Sequence, residues 1–151
     1  MLERFYTYPY VLGRLRGSSL GDIVDDLATY LHERGHAPKV AQAYLCGAGH
    51  FAHWLDRERL SPKAVNEATL ASFMDRHLAG CRCRVPHGSP RHLRPALGHV
   101  LAVLRARGWA APPSLPAQKP VDRLLNAFTV YLQETRGAAT TTCRRNAEYA
   151  R

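Results

Sequence analysis

Residues 27–55 read LATYLHERGHAPKVAQAYLCGAGHFAHWL, two helical patterns joined by a short break. The first begins just upstream, where Ile23, Val24, Leu27, Tyr30 and Leu31 recur at helical spacing. Ser18 or Ser19 is the expected cap, Asp22 sits in the first turn, and Gly35 is the stop, so the helix is expected over about 20–34. Pro38 is a favoured first-turn residue and opens a second helix to about Arg57. Its face carries Val40, Tyr44, Phe51, Trp54 and Leu55. The middle, Cys46-Gly47-Ala48-Gly49, is small-sided, which predicts either a kink or a close approach of another backbone.

Working outward, Asn66 caps a third helix to about Leu78, with Leu70, Phe73 and Met74 inward. Residues 79–88 read as a loop, and Ser89-Pro90 as the next start. Leu93, Leu97, Val100, Leu101 and Leu104 mark a fourth helix ending at Gly108. Pro95 implies that this helix starts near Arg94 or bends there. Residues 110–120 form a proline-rich linker, after which Leu124, Leu125, Phe128, Tyr131 and Leu132 restart a helical stripe. A shift of 101 residues lays the first helix on this one, a weak internal repeat. The second copy ends at Arg151, within what would be its second helix, so residues 121–151 read as the truncated start of a second module. Residues 1–17, with Phe5, Tyr6, Tyr8 and Tyr10, form an arm before a domain at 18–109, packed either on the bundle or on a partner. No strand pattern is present, so the expected class is all-α, with four to five helices in the main domain.

The chain has 151 residues, 46% of them apolar, enough to bury a core, and no apolar run long enough for a membrane span. No secretory signal pattern opens it, and four cysteines are too few for a disulfide scaffold, so a reducing cytoplasm is the expected compartment. There are 21 Lys and Arg against 12 Asp and Glu, a formal charge of +9. Residues 76–121 contain no acid but carry Arg76, Arg82, Arg84, Arg91, Arg94, Arg105, Arg107 and Lys119, which accounts for nearly all of the net charge. Arg predominates, which suits forked contacts to phosphate, and the concentration of charge favours nucleic acid over compositional drift.

The run from Leu27 to Tyr44 followed by His50-Phe51-Ala52-His53-Trp54-Leu55 resembles the opening helices of the DNA-binding N-terminal domain of tyrosine recombinases, the phage integrase family. Tyr44 and Phe51 stand seven residues apart, as in that family, and residues 60–78 with Asn66-Glu67-Ala68-Thr69-Leu70 are similar to its loop and third helix. The resemblance implies a SAM-like, core-binding bundle on duplex DNA, with a second similar module starting near Val121. It also implies partner recombinase protomers in a synaptic complex, and a role in DNA integration and recombination. The family's His-x-x-Arg motif is absent: none of the eight His has Arg three positions on, and no Tyr lies downstream of such a motif. The chain as it stands is therefore expected to bind DNA without cutting it, and to be no enzyme. The alternatives are a stand-alone helical DNA-binding regulator and a helical protein-interaction module with a basic face.

The expected DNA contacts are Arg82, Arg84, Arg91 and Arg94 around the loop and the fourth helix start, with Lys39 and Gln42 added by the family resemblance. His77, Cys81, Cys83 and His87 fall within eleven residues and form a possible zinc-ligand set, but Cys-x-Cys is tighter than the usual gap. The preferred reading is two thiols beside ordinary histidines, with no metal and no cofactor. A strained disulfide between the two cysteines is a further alternative. Tyr30, Tyr44, Phe51, Trp54 and Phe73 read as core rather than as base-stacking residues, and Asp22, Asp25 and Asp26 as surface carboxylates rather than acid–base catalysts.

Overall fold

The computed structural model describes residues 1–86, 90–113, 120–137, 139–142 and 145. It is all-helical, and no strand occurs among the described residues. The chain divides into two compact units, 1–112 and 113–151.

The first unit contains α1 (Pro9–Arg16), α2 (Gly21–Glu33), α3 (Pro38–Glu58), α4 (Glu67–Ser72) and α5 (Pro90–Ala106). Helix α3 is the axis. Its Ala41, Leu45, Ala48, Phe51, Ala52 and Leu55 are buried, with Ile23, Val24, Leu27 and Leu31 of α2 and Leu93, Leu97, Val100 and Leu104 of α5 in the same core. The small-sided middle of α3 is a crossing point in an unbroken helix. A β-carbon on Gly47 would stand 3.2 Å from Leu93 Cδ2 and 3.3 Å from Ala96 Cβ. The close-approach expectation for this stretch therefore describes the packing.

Helix α2 ends as its sequence predicts. Gly35 adopts a φ of 72°, and the amide of His36 donates to Leu31 O at 3.2 Å, closing the last turn. Its start differs from expectation, because neither serine caps it. Leu20 occupies the cap position, the Ser18 hydroxyl donates to Leu15 O, and the Ser19 hydroxyl donates to Ala52 O of α3. The reason lies in the tight α1–α2 turn, where a β-carbon on Gly21 would stand 1.9 Å from Arg16 O.

Residues 1–17 pack on the bundle. Leu2, Phe5, Val11 and Leu15 are core residues, and α1 lies within this stretch. Burying each such side chain contributes about 1.5–3 kcal/mol, which makes the segment part of the fold. Asp25 anchors it, accepting from Leu2 N at 3.0 Å and from Arg16 Nε at 2.8 Å.

Asn66 caps α4 as expected, through a reciprocal capping box with Thr69. The helix does not continue regularly to Leu78. A π turn spans Phe73–His77 and a 3-10 turn spans Leu78–Gly80. Pro95 lies inside α5, which runs on from Pro90 without restarting at Arg94. The expected Ser89 start signal lies outside the described residues.

In the second unit, α6 (Pro120–Arg136) realises the expected helix. Leu124, Phe128 and Tyr131 on it are exposed. Among the described residues no helix is long and apolar enough to cross a membrane.

Candidate functional site

The acid-free segment divides into three parts. Residues 81–86 form a loop, bent at Arg84 and Val85, that runs back along α3. Arg57 Nη1 donates to Cys83 Sγ at 3.6 Å, and the Cys46 thiol donates to Pro86 O at 3.6 Å. Along this loop Cys81, Cys83 and Val85 are half-buried while Arg82 and Arg84 are exposed. One side chemistry thus faces the bundle and the other faces water.

The next part is the first turns of α5. Arg91 and Arg94 are exposed there, while Leu93, Ala96 and Leu97 point into the core. Among the described residues, Arg82, Arg84, Arg91 and Arg94 form no ion pair. The far end of α5 is different. Arg105 pairs with Glu67 and Arg107 with Asp26, so acids from elsewhere neutralise these two charges. Within the acid-free segment, the exposed arginines without an ion pair among the described residues are therefore Arg76 in the π turn, Arg82 and Arg84 on the loop, and Arg91 and Arg94 at the α5 start.

Of the two residues added by resemblance, Lys39 is exposed in the first turn of α3. Gln42 is not available in the same way. It is half-buried, its amide donates to Phe5 O, and its own carbonyl accepts from Tyr6 Oη at 2.9 Å. The N-terminal segment has claimed it.

Three of the expected members of the Cys-His cluster come together, joined by a residue from another helix. His77, Cys81 and Cys83 converge, and the fourth participant is His50 of α3. His87 lies outside the described residues. His50 Nε2 stands 3.2 Å from His77 Nε2 and 3.3 Å from Cys81 Sγ, and Cys83 Sγ stands 3.5 Å from His77 Nε2. All four donor atoms lie within 4.8 Å of one another. Helix α3 places His50 on its buried face at 1% exposure. The π turn accommodates an extra residue and rotates the chain beyond it, which brings His77 over the ring of Phe73 at 5.2 Å. Phe73 also meets His50 edge-on at 5.2 Å, and Trp54 lies 6.1 Å from His77, so aromatic rings wall the cluster. Burial and then the neighbouring Cys81 push the Cys83 thiol up, opposed by the Arg57 guanidinium.

Sequence reasoning missed His50. Its signal was a single imidazole on the apolar face of α3, and its partners lie 27 and 31 residues away, beyond any local motif. Phe51, Trp54 and Phe73 are buried and Tyr30 and Tyr44 half-buried, as a core role requires. Two of the carboxylates of α2 serve structural ion pairs, Asp25 to Arg16 and Asp26 to Arg107. Comparison with family models, curated proteins and solved structures finds no match.

Proposed function

We propose that the first unit binds duplex DNA, as the DNA-holding part of a site-specific recombinase of the tyrosine type. The observation that carries the reading is the distribution of uncompensated arginine. Arg82, Arg84, Arg91 and Arg94 are exposed without acidic partners among the described residues, on adjacent segments of chain, while Arg105 and Arg107 are neutralised. Exposed guanidinium groups of one sign on an ordered loop and a helix start are suited to phosphate contact. Lys39 belongs to this reading, and Gln42 does not, because its amide is already engaged. The recombinase assignment rests on the resemblance of residues 27–55 and 60–78, and the absent His-x-x-Arg motif makes the role one of binding, without strand cleavage.

The test is the salt dependence of duplex affinity, measured by fluorescence anisotropy on a random-sequence duplex. Phosphate contacts by the four arginines and Lys39 predict a log–log slope of about −4.5, since each contributes about −0.9. A flat response between 50 and 200 mM salt, on the order of no change in affinity, overturns the reading.

A further inference from the structure

We propose that His50, His77, Cys81 and Cys83 form a structural zinc site. The four donors come from three places: α3, the π turn and the loop. They are two imidazoles and two thiols, a set suited to zinc.

The geometry carries the inference. Tetrahedral zinc with Zn–N of about 2.05 Å and Zn–S of about 2.3 Å requires ligand separations of about 3.3 Å for N–N and about 3.6 Å for N–S. The observed N–N separation is 3.2 Å and the observed N–S separations are 3.3 and 3.5 Å. These three pairs already stand near tetrahedral separations, and the remaining pairs, all within 4.8 Å, must close by roughly 1 Å at most when an ion enters, on the order of what side-chain rotation supplies. Both histidines present Nε2 to the common point, and both thiols lie on the inward side of the loop. Two donors reach the sulfurs: Cys83 N donates to Cys81 Sγ at 3.5 Å, and Arg57 donates to Cys83 Sγ. Two thiolates balance the charge of Zn(II). Four protein ligands leave no open position, so the site is a brace and carries no reaction. It ties the loop to α3 and the π turn, with Arg82 and Arg84 on the outward side. The site stands independently of DNA binding.

Reduced protein purified without added metal is measured for zinc, then stripped and titrated with Co(II). About one zinc per chain is expected, with cobalt giving tetrahedral d–d bands and a thiolate charge-transfer band. The variant Cys46→Ser, changed beside the loop but outside the cluster, should keep the metal. C81S with C83S should lose it. Because that variant can also misfold, His77→Cys supplies a second check, since it preserves a four-ligand set and should still bind cobalt with a stronger charge-transfer band. The proposal is overturned by reduced wild-type protein that takes up neither metal at stoichiometric level. It is equally overturned by an octahedral cobalt spectrum without charge transfer, or by a C81S/C83S double variant that retains full zinc.

Discussion

Gly47 of α3 faces Leu93 of α5, and a β-carbon there would stand 3.2 Å from Leu93 Cδ2. Two effects oppose each other on substitution. Gly47→Ala gains about 1 kcal/mol of helix propensity, while Leu93 and Ala96 must yield slightly. The net change should be within about 1 kcal/mol. Gly47→Val adds methyl groups with nowhere to go and should destabilise by about 2–3 kcal/mol. Urea unfolding of the two variants checks the ordering, and a valine variant as stable as wild type would refute the close crossing.

Gly21 presents a harder constraint. Its hypothetical β-carbon meets Arg16 O at 1.9 Å, and a backbone carbonyl cannot rotate away as a side-chain tip can. Gly21→Ala should therefore cost more than about 3 kcal/mol and force the α1–α2 turn apart. Thermal unfolding should show a Tm lowered by roughly 10 °C or more, at about 4–8 °C per kcal/mol for a domain near this size. Gly13, whose β-carbon would meet nothing within 4 Å, is the matched control, and Gly13→Ala should be neutral or stabilising.

These contacts mark where the sequence is legible and where it is not. Helices α2, α3 and α5 are written in apolar residues at helical spacing, because one face of each must be buried. Helix α1 has buried Val11 and Leu15 but is too short, at eight residues, to show that period clearly. The π turn leaves no local signature, since helix and π turn use the same residues and differ by one hydrogen-bond step. The Cys-x-Cys pair was visible, yet sequence proximity gives no sign of His50, which folding brings from another helix. The acid-free segment was legible as charge, but its division was not. Only the fold shows that Glu67 and Asp26 reach Arg105 and Arg107.

That division predicts different behaviour for two groups of arginines. Substituting Arg82, Arg84, Arg91 or Arg94 by Ala should each reduce the steepness of the salt dependence of duplex binding by about one unit and leave stability within about 0.5 kcal/mol. Substituting Arg105 or Arg107 should leave the slope unchanged. Each should lower stability by no more than about 1 kcal/mol, since these pairs are near the surface. Anisotropy titrations at several salt concentrations, paired with urea unfolding, separate the groups. A slope loss from R105A equal to that from R91A would refute the division.

His99 should make stability depend on pH in the neutral range. It sits half-buried on α5 among the rings of Tyr30, His36 and Tyr44, at 5.6, 5.1 and 5.1 Å. Burial, then His36 and Arg34, hold its pKa below the ordinary 6.5. The unfolded chain therefore binds this proton more readily than the folded one. The resulting stability is complete above about 6.5 and is lost as pH falls from there toward the lower folded value. The depressed carboxylates Glu3, Asp25 and Glu67 have ordinary values of 4.5, 3.8 and 4.5, so their losses begin at more acid pH. Between pH 7.5 and 5.5, wild-type protein should lose more Tm than His99→Gln measured in the same buffers. Because every other histidine is common to both proteins, the difference reports position 99 together with its coupling to His36. Equal losses in the two proteins would show that the pocket imposes no penalty on the charged ring.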